Sequence, residues 1–184
     1  MRDVDELILR LKIELGKVAP EEKFKIAIDA VAEFYMSNFN ISKNEVALLF
    51  ADKQRAVLSF AHPSYLINAG MIPVNLSEAI ASRIFRSGKG FIDNNLQQQR
   101  HLFIFESIKT PDNKIMPIWK MIASRISHAD DNIGIIEISK RSVAYADAGE
   151  DFSDSDLYFL EESIKKVAPI ISEVMPEDFR GKFK

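Results

Sequence analysis

The sequence predicts an α+β domain with the helices from both chain ends gathered on one face of an antiparallel sheet. Three observations carry this. Residues 3–18 and 20–38 at one end and 153–169 at the other repeat their apolar positions at helical spacing. The stretch between them holds short apolar, partly β-branched runs bounded by turn residues. At 184 residues, 47% of them hydrophobic, the chain has material for a single core.

Val4, Leu7, Ile8, Leu11, Leu15 and Val18 recur at three- and four-residue steps, which predicts an amphipathic first helix. Pro20, Glu21 and Glu22 suit the start of a second, because proline lacks the unneeded N–H and the acids complement the helix dipole. Val46 to Phe50 and Ala56 to Ala61 flank Ala51–Arg55 and predict a hairpin. Ile72-Pro73-Val74 predicts a brief extended piece, and Ser77 an N-cap for a short helix that Gly88 ends. Residues 93–114 form a long polar excursion with one apolar patch, Leu102–Phe105, and predict a lid. Met116 to Ile126 and Ile133 to Ser139 predict two more strands around the turn Ala129–Asn132. Ser153 as N-cap, Phe152 and Leu157 as a hydrophobic staple, and Asp156 at the third helical position open the last helix. Pro169 is expected to kink or end it, and Pro176 to close it. The expected organisation is a dimerisation helix at 1–18, one domain at 19–176 and a tail at 177–184.

Composition narrows the function. Twenty-four basic against 27 acidic residues, a net charge of −3, argue against a phosphate-backbone partner, which needs clustered Lys and Arg. Zero cysteines remove disulfides, thiolate metal sites and thiol nucleophiles. No apolar run approaches about 18 residues and Met1-Arg2-Asp3 is no secretory leader, so a cytoplasmic protein without membrane association is expected.

Several passages together resemble the GAF domain, a small sensory module of bacterial regulators, phytochromes and cyclic-nucleotide phosphodiesterases. Ile72-Pro73-Val74-Asn75-Leu76-Ser77, Ile80–Ile84 and Ser87–Asp93 are similar to its passage of serine, helix, glycine and strand ending in aspartate. Ile115–Ile122 stands where such domains have a strand forming a pocket wall. Asn132–Ile138 is similar to its Gly-apolar strand, and Phe152–Asp156 to the opening of its closing helix. The resemblance spans residues 20–172. It implies about six strands in the order 2-1-5-4-3-6 or a close variant, terminal helices on one face, and a ligand pocket on the other under the post-Ser77 helix and the lid.

Departures from the family pattern bear on activity. The cyclic-nucleotide signature of Asn-Lys, Phe and Asp-Glu becomes Ser139-Lys140, Phe152 and Asp156-Leu157, which lacks both Asn and Glu. The resemblance still allows an ion pair between Lys140 and Asp156 bracing the last helix. Bilin attachment needs a cysteine and enzymatic sulfoxide reduction needs several, so both are excluded.

Few residues suggest chemistry. His62, His101 and His128 have no metal-site spacing, although His62 follows a strand and His101 lies in the lid, where each can touch a ligand. Ser59, Ser77 and Ser107 lie in no nucleophile elbow. Ser87-Gly88-Lys89-Gly90 follows a helix and precedes a strand, the reverse of a phosphate loop. Asp147, Glu150, Asp151, Asp154 and Asp156 lack calcium-loop spacing and read as a solvated loop. Trp119 admits two readings, core filler or an aromatic wall beside Met121, with Asp93, Asn94 and Ser107 supplying polar orientation. Ile8, Leu9, Ile13 and Leu15 spread the first helix's apolar surface beyond one stripe, which suits a homodimer interface or burial between sheet and neighbour.

The expectation is a non-enzymatic GAF-like sensory or regulatory protein with no cofactor and no metal. It binds a small ligand between sheet and lid and, having no output module after residue 176, signals through a dimer to a partner protein. The alternative is a ligand-free dimerisation scaffold whose pocket is filled by Trp119, Met121 and the lid phenylalanines.

Overall fold

In the computed structural model, which describes residues 3–98 and 115–183, the chain opens on α1 (Val4–Leu15) and α2 (Pro20–Phe39). Asp3 caps α1 by accepting from the Asp5 amide at 3.0 Å. Asn40 closes α2 at φ 52°, a left-handed conformation that Asn tolerates better than most residues. The hairpin follows as β1 (Val46–Ala51) and β2 (Val57–His62). Its turn is organised by the buried Asp52, whose Oδ1 accepts from the amides of Ala56 at 2.7 Å and Val57 at 3.1 Å.

Then come β3 (Met71–Pro73), α3 (Ile80–Ser87), β4 (Phe91–Asp93), β5 (Ile118–His128), β6 (Asp131–Arg141) and α4 (Asp154–Val174). The six strands form one antiparallel sheet in the order β3-β2-β1-β6-β5-β4. Counted without the extended piece around Ile72, five of these strands keep the expected order 2-1-5-4-3, and only the sixth strand is placed differently. The extended piece around Ile72 is the third strand in sequence, and it adds to the sheet edge beside β2, where Val57 pairs Pro73 and Ser59 pairs Met71.

Two local expectations also change. Ser77 does not cap α3: Ala79 holds that position without a side-chain bond, while Ser77 Oγ donates to Glu78 at 3.0 Å. Pro169 does not end α4, which continues to Val174. It lies on the exposed face, where the carbonyl it leaves without an N–H donor remains open to water. The start of α4 is as expected. Asp156 N donates to Ser153 Oγ at 3.2 Å and Ser153 N donates to Asp156 Oδ2 at 2.7 Å, a complete capping box.

One sheet face carries the helices. Phe24, Ile28 and Val31 of α2 and Leu160, Ile164 and Ile171 of α4 bury Leu48, Phe50, Ile122, Ile136 and Ile138 of the sheet. Tyr35 donates or accepts at 2.9 Å with Ser163 between the two helices, and burial pushes its phenol well above the usual range. Helix α1 is not buried between sheet and neighbour. It packs on α2 and α4 through Val4, Leu7, Leu11 and Leu15 and leaves Leu9 62% and Ile13 49% exposed. The other sheet face presents Leu49, Leu58, Phe60, Ala123 and Ile135 to Ile80, Ile84 and Phe85 of α3 and to Leu66, Ile72 and Leu96. Among the described residues no helix is long and apolar enough to cross a membrane.

Residues 177–183, within the expected tail, pack against the helix-side core. Phe179 is 1% exposed and sits edge-on to Phe24 and Phe50 at 5.2 and 6.2 Å, with Phe183 beside it at 5.7 Å. Lys53 donates its amide to Asp178 at 3.2 Å and pairs with Glu177, which ties the segment to the β1–β2 turn.

Candidate functional site

A cavity of about 260 Å³ lies on the sheet face opposite α1, α2 and α4, beneath the chain from Pro63 to Ala81. Small-molecule sites begin at roughly 300 Å³, so its size suits a small occupant. The cover is apolar, with Leu66, Ile72, Leu76 and Ile80. The floor is Ala47 of β1, Phe60 of β2, and Ile118 and Met121 of β5. Among the described residues only β6 brings charge: Glu137, Ser139 and Arg141 line the cavity at alternate positions, while Ile136 and Ile138 between them enter the helix-side core.

The polar groups here are unevenly satisfied. Ser139 Oγ donates to the Glu45 carbonyl at 3.3 Å. Glu45 uses both carboxylate oxygens on backbone, accepting from Arg141 N at 2.8 Å and Ser42 N at 2.8 Å. The Arg141 Nε and Nη1, the Asn44 Oδ1 and the Tyr65 hydroxyl are buried with no hydrogen-bond partner among the described residues. Burial raises the Tyr65 phenol, and the nearby Arg141 charge partly offsets that rise.

Of the residues expected at a site, Met121 lines the cavity. Trp119 does not: it donates Nε1–H to the Ser142 carbonyl at 3.0 Å and meets Tyr145 edge to face at 5.7 Å. A bulge in the β5–β6 pairing between Ile118 and Lys120 is the reason. It shifts the side-chain phase, so that Ile118 and Met121 share the cavity face and Trp119 is turned out of it. Asp93 accepts from the Asn95 amide at 2.7 Å within its own turn. Asn94 clamps the Phe152 backbone, donating to its carbonyl at 2.9 Å and accepting from its amide at 2.8 Å. Neither reaches the cavity lining. His62 Nε2 is 3.0 Å from the Lys43 carbonyl, and burial lowers its pKa from the ordinary 6.5, opposed by that bond. His101 and Ser107 lie outside the described residues, as does most of the expected lid.

The lysines of the sheet have a different task from the one expected. Lys140 does not brace Asp156, which is committed to the Ser153 cap. Its Nζ donates to the Glu150 carbonyl at 2.5 Å and lies 4.5 Å from the Phe152 ring centroid. The buried Lys120 donates to the Gly149 carbonyl at 2.5 Å and pairs with Asp151 at 2.7 Å. Together they fasten the acidic loop before α4. Burial and the neighbouring Lys120 charge lower the Lys140 pKa.

Arg141 and Asn44 line the cavity and are the site residues that sequence reasoning missed. A signal existed in β6, where Glu137, Ser139 and Arg141 interrupt the isoleucines at a strict period of two.

The antiparallel order β3-β2-β1-β6-β5-β4, with terminal helices on one face and a covered cavity on the other, is a GAF-like fold. No family model matches the chain, and no curated protein matches it by sequence. Solved structures do. The GAF domain of a phosphoenolpyruvate-protein phosphotransferase from Acinetobacter superposes with a TM-score of 0.61 at 10% identity, covering 94% of this chain and 96% of that one. The GAF-B domain of DevS from Mycobacterium smegmatis gives 0.55 at 12% identity, covering 84% and 94%. A type II free methionine-R-sulfoxide reductase from Thermoplasma acidophilum gives 0.58 at 14% identity, covering 85% and 97%. At these identities the likeness is one of fold.

Proposed function

We propose that the chain is a non-enzymatic sensory or regulatory module of GAF type that binds a small molecule between sheet and cover and signals through a homodimer to a partner protein. The cavity beneath Pro63–Ala81 carries this reading, because it is apolar over most of its wall and yet holds buried polar groups with no partner among the described residues. The absence of any cysteine leaves no thiol for covalent or redox chemistry. Among the described residues no three His, Cys, Asp or Glu side chains gather as a metal site. The alternative of a scaffold whose pocket is filled by Trp119, Met121 and the lid phenylalanines loses Trp119, which packs on Tyr145, keeps Met121 in the lining, and has its lid phenylalanines outside the described residues.

Mass spectrometry of the natively purified chain beside its denatured extract tests the ligand. A small molecule released only on denaturation is expected. In a parallel screen of nucleotides and metabolites, a saturating binder raises the melting temperature by several degrees. A chain that releases nothing and responds to nothing in the screen defeats the reading.

The dimer is supported by the apolar surface that α1 turns away from α2 and α4. Leu9 and Ile13 are its large exposed residues, rimmed by the Arg10–Glu14 pair at 2.8 Å. Equilibrium sedimentation of the full chain is expected to show a dimer. The double substitution Leu9→Glu, Ile13→Glu is expected to give a folded monomer, since neither side chain belongs to the core. A monomeric parent, or a variant that remains dimeric, removes α1 from this role.

A further inference from the structure

Arg141 is the sole basic residue among the described residues lining the cavity, and its Nε and Nη1 are buried with no hydrogen-bond partner among the described residues. No carboxylate of the described residues lies within ion-pair distance of it, and Glu45, which reaches the same residue, is committed to backbone amides. A buried N–H left unmade is expensive, so native proteins rarely keep one without a use. The Tyr65 hydroxyl is a second donor in the same condition, close enough to feel the Arg141 charge.

From this placement we infer that the cavity takes an organic monocarboxylate with a short apolar body, whose carboxylate is held by Arg141 and whose body lies between Met121 and the leucines of the cover. The inference rests on the ligand-binding reading above and adds the chemical class of the ligand. A single guanidinium matches a single negative charge in both number and geometry, since its planar N–H fork complements a carboxylate. A phosphate dianion would need further cations, and the lining offers none among the described residues. Glu137 lies four residues along β6, roughly 13 Å away at the rise of a strand. It therefore does not neutralise Arg141. The apolar wall between the two leaves room for a hydrocarbon body.

Isothermal titration of the full chain with octanoate and with 1-octanol, matched in length and differing in charge, tests this. Octanoate is expected to bind roughly tenfold to a hundredfold more tightly, the range for a hydrogen bond to a charged group. Arg141→Met is expected to bring octanoate down to the octanol level while leaving octanol binding unchanged, and Arg141→Lys to recover part of the difference. Equal binding of the two probes by the parent chain, or octanoate binding unaffected in Arg141→Met, overturns the anion assignment and leaves the ligand pocket standing. Binding of neither probe overturns both. The ligand-free melting temperature of Arg141→Met supplies an independent reading, expected to equal or exceed that of the parent because no native bond is lost. A fall of several degrees would mean that the guanidinium is already partnered in the free protein, and would also overturn the assignment.

Discussion

Phe179→Ala is expected to lower the stability of the chain by about 3–5 kcal/mol, the usual loss for a fully buried phenylalanine cut back to alanine. The ring is 1% exposed and lies among Phe24, Phe50 and Phe183 at 5.2, 6.2 and 5.7 Å, so its removal opens a cavity whose walls are themselves rigid aromatic rings. Those rings hold the end of the chain against α2 and β1, and a hole between them cannot close without moving the helix layer. Thermal unfolding should show a drop of roughly 6–20 °C for a domain of this size. Lys182→Ala, a change at an exposed position in the same segment, should leave the transition in place. A loss below about 1 kcal/mol for Phe179→Ala would show that residues 177–183 are not docked in solution.

Gly134→Ala is the second large effect, and its cause is backbone proximity. Gly134 lies in β6 opposite Phe50 of β1, and a Cβ there would stand 2.3 Å from the Leu49 carbonyl oxygen and 2.8 Å from Phe50 Cδ1. The carbonyl belongs to the neighbouring strand at the centre of the sheet, so relief requires β1 and β6 to separate. Overpacking of this kind is expected to cost about 3 kcal/mol, at the upper end for an added methyl group. Urea unfolding should show a lower midpoint with an unchanged slope. A midpoint equal to that of the parent would mean that the two strands sit farther apart than described.

The helices and the central strands were legible because each is specified within its own stretch of chain. The capping box of Ser153 and Asp156, the proline at the start of α2 and the glycine after α3 act on groups a few residues away, and pattern reading finds them. The same local logic misplaced Ser77, whose hydroxyl bonds the adjacent Glu78, because a serine before an apolar run offers a cap without obliging the helix to start there. Pro169 misled in the opposite direction. A helix held by Leu160, Ile164, Val167 and Ile171 against the sheet tolerates one missing hydrogen bond on its wet side.

The site was far less legible. The polarity of Asn94 suggests a ligand contact, yet it spends both amide atoms on the Phe152 backbone, a partner 58 residues away. Trp119 was placed beside Met121 by strict alternation, and one bulge in β5 separated them. Arg141 went unnoticed because it falls after the apolar run that marks β6. What gives it meaning is that its buried Nε and Nη1 meet no partner among the described residues in three dimensions.

What the sequence determined by itself is the class of the fold and several chemical exclusions. Its hydrophobic periodicities set helices at the ends and strands between, and zero cysteines rule out bilin attachment and thiol catalysis whatever the tertiary arrangement. The tertiary structure alone decided that α1 rides on α2 and α4 with Leu9 and Ile13 outward, that Phe179 is part of the core, and that β6 brings to an apolar cavity Arg141, whose Nε and Nη1 have no partner among the described residues. The division has one physical reason. Periodicity and capping depend on neighbours along the chain, whereas burial, strand phase after a bulge, and the satisfaction of a buried charge depend on residues that meet only when the chain has folded.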